Sequence, residues 1–154
     1  MDMPKPGREH ARLARFAGRW SGEETLYPSP WGPGGKARAR SSLKMSVGGL
    51  VLVHEYEEEI EGQVSFRGHG VFMVDPATSE VIWWWFDSIG FPPEPARGRW
   101  ESEEVLRLRK TTARGEARYE FRLGEDDYDF RIETLLPGQS EVTVFMEGHY
   151  RRER

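Results

Sequence analysis

His54, Tyr56 and Asp87 are the residues whose types and predicted positions could support chemistry. A histidine that is oriented by a carboxylate can act as a general base, and a tyrosine hydroxyl can donate a proton. The sequence contains no nucleophile elbow, phosphate-binding loop or His-x-x-x-His motif beside them. A lone His–Asp pair inside a barrel is more often structural than catalytic, and the same three residues are also candidates for binding a ligand.

The predicted strand registers place the candidate site residues in two rows across one face of a β-sheet. The first row is Ser41, Tyr56, Gly68 and Asp87, and the second is Leu43, His54, Gly70 and Trp85. The glycine in each row would leave a space lined by aromatic walls and a few polar groups, as in small-molecule sites. The predicted ligand-binding residues are Trp20, Glu24, Ser41, Leu43, His54, Tyr56, Gly68, Gly70, Trp83, Trp85 and Asp87. Alternatively, the glycines only permit curvature, and the polar side chains bond to one another and to buried water.

These rows depend on the hairpin at residues 37–60, which the sequence predicts most directly. Gly48-Gly49 between two alternating runs indicates a two-residue turn, because both turn positions need positive φ. Pairing Val47 with Leu50 then brings opposite charges together on the outer face. The facing pairs are Arg40 with Glu57 and Arg38 with Glu59. The inner face is not purely apolar, which predicts a lined cavity rather than a filled core; its polar members are Ser41, His54, Tyr56 and Glu58.

The same alternation continues through roughly ten strands joined by short turns. The predicted strands are residues 21–27, 37–47, 50–60, 64–74, 81–87, 97–101, 105–112, 117–123, 128–134 and 141–151. Strands that follow one another in sequence favour an antiparallel up-and-down barrel. Barrels of about this size can enclose one small ligand.

The turn after Ile60 leaves two registers open for the next strand. A two-residue turn would put Arg67 and His69 inside the barrel, where their charge would be costly. A three-residue turn pairs Ile60 with Val64 and puts both residues outside, opposite glutamates of the preceding strand. We prefer the second register because it satisfies these charges and keeps aromatic side chains inside.

The N-terminal segment, residues 1–17, contains a short helical pattern with apolar residues on one side. A helix of about ten residues is not stable alone, so we expect its apolar side to cover one end of the barrel. The barrel is predicted to span residues 20–151 within a single domain, 1–154. Trp31 lies in the proline-rich loop after the first strand, where it either fixes that loop to the barrel wall or forms part of a lid.

The composition excludes several classes of partner and site. The 154 residues carry a net charge of −4, so no basic surface for nucleic acid or an anionic membrane is visible. There is no cysteine, which excludes disulfides and thiolate metal sites. No stretch has the length of a membrane span or of a signal-peptide core, so we expect a cytoplasmic protein with a small-molecule partner.

Trp84 and Phe86 make one outer face apolar, and this face would allow a homo-oligomer.

Several segments resemble known families of barrels. Gly18-Arg19-Trp20 after a short helix resembles the opening of calycin barrels, the lipocalin and fatty-acid-binding group, and residues 18–28 also look like the start of the haem-binding nitrobindins. The segments that resemble a bacterial family of small barrels, domain of unknown function 1579, are residues 28–34, 66–72, 85–93 and 145–152. This resemblance implies a calycin-like barrel and brings no catalytic residue. The predicted fold is therefore all-β, a roughly ten-stranded antiparallel up-and-down calycin-like barrel with a short N-terminal helix closing one end.

We predict no cofactor and no metal site. A metal site needs three or four clustered ligands, and only His54, Asp87, Glu58 and Glu24 could contribute. The nitrobindin resemblance makes haem an alternative, which would need an inward axial histidine. His54 could serve, and His149 lies in the last strand, although the more apolar alternate positions there indicate that Glu147 and His149 face outward.

The function that these observations favour is binding of a small, largely apolar or aromatic ligand with a polar handle inside the lumen. One alternative is an enzyme that acts on such a ligand with His54, Asp87 and Tyr56. The others are a haem-binding barrel and a packed barrel that serves as an interaction protein.

Overall fold

The computed structural model describes residues 1–154 and has the predicted fold, a closed barrel of ten antiparallel strands. Its elements are α1 (Arg8–Ala14), β1 (Gly18–Leu26), β2 (Gly35–Ser46), β3 (Val51–Ile60), β4 (Gln63–Val74), β5 (Val81–Asp87), β6 (Ala96–Trp100), β7 (Val105–Thr112), β8 (Gly115–Leu123), β9 (Asp127–Leu135) and β10 (Thr143–Arg152). Each strand pairs with its neighbour in sequence, and β10 pairs with β1. This closure removes every free strand edge.

The register between β2 and β3 is the predicted one, with Arg40 opposite Glu57. Gly48 and Gly49 have φ values of 64° and 87°, the left-handed conformation that this tight turn requires. The register between β8 and β9 follows the same rule, since oppositely charged residues face each other at three positions. Those pairs are Arg122 with Asp129, Glu120 with Arg131, and Arg118 with Glu133.

The turn between β3 and β4 differs from the prediction, although the register beyond it does not. Ile60 pairs with Gln63 across a two-residue turn, so the predicted three-residue turn is wrong. A bulge at Ser65 then adds the missing residue and restores the predicted pairing. Glu57 faces Arg67 on the outside as a result, and their side chains form an ion pair of 3.4 Å.

One end of the barrel is closed by α1 and the aromatic side chains beneath it. Leu13 and Phe16 are buried in the main core, and the Trp20 indole donates a hydrogen bond of 2.9 Å to the Phe16 carbonyl. The ring centroid of Trp20 lies 4.8 Å from that of Tyr128, edge to face. The Arg152 guanidinium covers the outer side of Trp20, 4.2 Å from the ring centroid. With seven residues, α1 lacks the length and apolar character that crossing a membrane would require.

The outer surface of β5 keeps some of the predicted apolar character. Phe86 is 47% exposed and Trp84 is half-buried. An oligomer formed through this face stays a prediction.

Candidate functional site

The lumen contains a cavity of about 580 Å³ that opens at the end opposite α1. Its walls carry many aromatic side chains, among them Tyr56, Phe66, Trp83, Trp85, Tyr119, Phe121 and Phe130. Its mouth is formed partly by exposed apolar residues, namely Trp31, Ile89 and Phe91. Trp31 packs edge-on against Phe145 with a centroid distance of 5.8 Å, so the proline-rich loop lies at this mouth.

The predicted ligand-binding residues divide into two groups. His54, Tyr56, Trp83, Trp85 and Asp87 line the cavity. The others do not line it: Trp20, Glu24, Ser41, Leu43, Gly68 and Gly70, all of which are buried. Trp20 and Leu43 belong instead to the packed core near α1.

The two glycines do not leave open space in the lumen, as the sequence had suggested. A Cβ atom at Gly68 would lie 2.0 Å from Cζ2 of Trp85, and one at Gly70 would lie 2.8 Å from Nε1 of Trp83. The space above these glycines is therefore filled by the two indoles, which in turn form the cavity wall. The glycines support the cavity indirectly, by letting bulky rings of β5 lie across β4.

The expected His54–Asp87 pair does not form. Asp87 accepts a hydrogen bond of 3.0 Å from the backbone N–H of Ile89 in the loop at the cavity mouth. His54 is buried, neither of its ring nitrogens has a hydrogen-bond partner, and its ring lies 5.6 Å from that of Trp85. Burial, helped by the nearby charge of His69, lowers the pKa of His54 to about 3. His54 is therefore a neutral imidazole with one free donor and one free acceptor.

A buried pair of carboxyl groups lies on another side of the lumen. Glu24 of β1 and Glu58 of β3 both point inward from strands on either side of β2. The residues opposite them on β2 are Ala37 and Ala39, whose small side chains let the two carboxyl groups approach each other. The inward position of Glu24 was predicted together with that of Trp20, and it is confirmed.

Two tyrosines hold this carboxyl pair. The Tyr56 hydroxyl lies 2.7 Å from both carboxylate oxygens of Glu24 and 3.1 Å from Oε2 of Glu58. The Tyr150 hydroxyl donates to Oε2 of Glu24 from β10. The Ser65 hydroxyl, in the β4 bulge, is 3.5 Å from Oε1 of Glu58.

Burial and the adjacent Glu58 carboxyl raise the pKa of Glu24 to about 7, against the opposing effect of the two tyrosine hydroxyls. Burial and the same two carboxyl groups raise the pKa of Tyr56, so this phenol remains a hydrogen-bond donor. Glu24 therefore holds a proton for part of the time near neutral pH, beside the carboxyl group of Glu58. Of the pair, Glu58 lines the cavity and Glu24 lies behind it.

Sequence reasoning missed several residues of this site. The alternation predicts that Glu58 points inward without assigning it to the ligand site, and it gives no prediction for Tyr150. Tyr150 follows Met146 and Gly148 on the inner face of β10, so the period-two pattern of that strand could have identified it. On the opposite face, Glu147 and His149 point outward as predicted: Glu147 accepts a 2.8 Å bond from Tyr27, and His149 lies 2.6 Å from Asp129.

The outward direction of His149 removes it as a ligand for a group in the lumen. His54 is the inward histidine that could serve as an axial haem ligand. No group of three or more His, Cys, Asp or Glu side chains is arranged to hold a metal ion.

The fold and the lined lumen define a small, closed antiparallel β-barrel with one open end. The chain belongs to the family described as "Protein of unknown function (DUF1579)", whose sequence profile matches residues 5–152. Among solved structures it is similar to the crystal structure of Rv2717c from M. tuberculosis, with a TM-score of 0.76 and 14% sequence identity. The similarity covers 97% of this chain and 100% of the other, and at this identity it shows the fold alone. No curated protein matches the sequence.

Proposed function

We propose that this barrel binds a small, largely apolar or aromatic molecule with a polar handle in its lumen. The observation that carries the proposal is an open cavity of about 580 Å³ whose lining includes His54, a buried histidine with no hydrogen-bond partner. Cavities of roughly 300–1,000 Å³ with apolar walls and a few polar groups are typical of small-molecule sites.

The cavity walls favour a flat, apolar ligand. Trp83 and Tyr119 meet edge to face with centroids 4.9 Å apart, and Phe130 lies within 6.3 Å of both rings. Such rings offer both faces and edges to an aromatic guest. The exposed Trp31, Ile89 and Phe91 extend this apolar surface to the mouth, where a ligand would enter.

The polar groups of the cavity would orient the bound ligand. An unpartnered buried group such as His54 costs about 1–3 kcal/mol, and a ligand that bonded to it would remove that cost. Glu58 and Asp87 offer further acceptors on the same surface. An enzyme that used His54, Asp87 and Tyr56 together would need the His54–Asp87 contact, so binding alone is the better-supported function.

The test is native mass spectrometry of protein purified without denaturation, followed by a ligand-observed NMR screen of small aromatic compounds. We expect either one retained small molecule per chain or aromatic compounds that compete for a single site. An absorbance scan of the same sample covers the alternative, because a Soret band would show that the protein holds haem. A protein that retains nothing and binds no compound at millimolar concentration would contradict the proposal.

A further inference from the structure

We propose that the polar handle of the lumen ligand is a protonated amine, which the Glu58–Glu24 carboxyl pair binds. This inference rests on the proposed binding function and specifies its ligand class.

The first reason is buried negative charge without a counter-charge. Glu24 and Glu58 are 1% and 8% exposed, and they are the only buried carboxyl residues of the chain. Neither has an Arg, Lys or His nitrogen within 4.0 Å, although many surface carboxylates do. Glu57, the outward neighbour of Glu58, pairs with Arg67 at 3.4 Å. A buried anion is costly unless it is paired, and a bound cation would supply the missing partner.

The second reason is spare acceptor capacity on the side that faces the cavity. Two tyrosine hydroxyls donate to the four oxygens of the pair. The Ser65 hydroxyl, which has one proton, lies closer to the Glu58 backbone carbonyl (3.3 Å) than to the carboxylate oxygen Oε1 (3.5 Å). Oε1 of Glu58 has only the Ser65 contact of 3.5 Å, and Glu58 is the member that lines the cavity. An ammonium group has three donors and no acceptor, which suits this surface.

The third reason is the aromatic surface around Glu58. Phe66 lies opposite Glu58 on β4, and the Tyr56 ring is 6.1 Å from Phe66 and 5.6 Å from Trp85. Aromatic faces attract cations through their quadrupole, so this wall favours an ammonium over an anion. The basic residues that line the cavity, Lys110 and Arg114, are both held over aromatic rings, those of Tyr119 and Phe91 respectively.

An independent observation is a further polar group in the lumen wall that has no hydrogen-bond partner. His54 precedes Tyr56 by two residues on the inner face of β3, is 7% exposed and has no partner for either ring nitrogen.

The titratable groups that face the carboxyl pair are Tyr56 of β3, Tyr128 of β9 and Tyr150 of β10, all of which stay neutral in the folded protein. An incoming cation would take the place of the proton that Glu24 holds, so binding near pH 7 would release a proton.

Three probes with one carbon skeleton test the inference: 4-phenylbutylamine, 4-phenylbutanol and 4-phenylbutyrate. Isothermal titration at pH 7 should show the amine binding about tenfold or more tightly than either of the others. Repeating the titration in buffers with different enthalpies of ionisation measures the proton release. This comparison uses only the wild-type protein, so it does not depend on the folding of any variant.

Two variants localise the effect. Glu58→Gln should weaken amine binding about tenfold or more and alcohol binding far less, because it removes the negative charge of Glu58 and keeps an oxygen acceptor there. Glu57→Gln, which removes a neighbouring outward charge, should change neither. Equal binding of the three probes, or an amine preference that survives Glu58→Gln, would overturn the inference while leaving lumen binding intact. Failure of all three probes to bind would count against the binding function itself.

Discussion

The Tyr56 hydroxyl lies 2.7 Å from both carboxylate oxygens of Glu24, a residue 32 positions away in sequence. The contact crosses β2, where Ala37 and Ala39 leave room for it. It joins β1 to β3 through the buried carboxyl group of Glu24. A hydrogen bond to a buried charged group stabilises a protein more than a hydrogen bond at the surface.

Tyr56→Phe should therefore destabilise the protein by about 2 kcal/mol, because it leaves the buried Glu24 with a single tyrosine donor. Since the Tyr56 hydroxyl lowers the pKa of Glu24, the loss should be larger at pH 8 than at pH 5. Denaturant unfolding at the two pH values measures both effects. The matched control is Tyr27→Phe, which removes a surface bond to Glu147 and should cost less than about 0.5 kcal/mol. Equal effects of the two substitutions would contradict the assignment.

The pH dependence of stability should contain two opposing contributions. The pKa of Glu24 is raised from 4.5 to about 7 in the folded protein, so its contribution is full below pH 4.5 and is lost as the pH rises to 7. The pKa of His54 is lowered from 6.5 to about 3, so its contribution is full above pH 6.5 and is lost as the pH falls. Between pH 4.5 and 6.5 the two effects oppose each other.

Single variants should separate these contributions. Glu24→Gln should lose stability on acidification from pH 6.5 to 4.5 more steeply than the wild type, because only the His54 effect remains. On the same acidification, the free energy of unfolding of His54→Gln should rise relative to that of the wild type, by an amount on the order of 2 kcal/mol. Urea unfolding across the range gives both curves. Parallel curves for all three proteins would show that these groups are not buried as described.

Much of the fold could be predicted because opposite charges mark the registers. Arg40 with Glu57 and Arg122 with Asp129 each exclude a slip by one residue, which would turn the charges inward. The bulge at Ser65 could not be predicted, because a two-residue turn plus one bulged residue and a three-residue turn give the same distal pairing.

The site was harder to predict than the fold. Inward direction follows from alternation within a strand, and it correctly placed His54, Tyr56, Glu24 and Trp85. Alternation does not predict which inward side chains contact each other, because a large ring can occupy the space between two of them. The Trp85 indole fills the gap above Gly68 and packs beside His54, so the expected His54–Asp87 contact does not form.

Gly68→Ala should destabilise the protein by about 2 kcal/mol, because the new Cβ would displace the Trp85 ring. The atoms in conflict belong to the far part of the indole, so the cost should fall when Trp85 is replaced by Phe. Thermal unfolding of the two single variants and the double variant measures this coupling. Gly32→Ala is the control, since a Cβ there meets no atom within 4 Å. If the effects of the two single substitutions simply add in the double variant, Trp85 does not lie over Gly68.

His54→Leu should stabilise the protein when no ligand is bound, by on the order of 1 kcal/mol, because it removes two unpartnered nitrogens from an apolar region. The same substitution should weaken ligand binding, a trade-off that is common at functional sites. Unfolding experiments and probe titrations on the same samples measure both. A destabilised variant with unchanged binding would show that His54 serves only the fold.

The most direct test of lumen binding is a fluorescence titration with N-phenyl-1-naphthylamine, a neutral aromatic probe, on the wild type and two tryptophan variants. Ala117 lines the cavity on β8, so Ala117→Trp fills part of the lumen, whereas the exposed Arg118 beside it makes Arg118→Trp a matched control. We predict one probe per chain for the wild type and for Arg118→Trp, with affinity reduced about tenfold or more in Ala117→Trp. No binding to the wild type, or equal binding to all three proteins, would contradict a ligand site in the lumen.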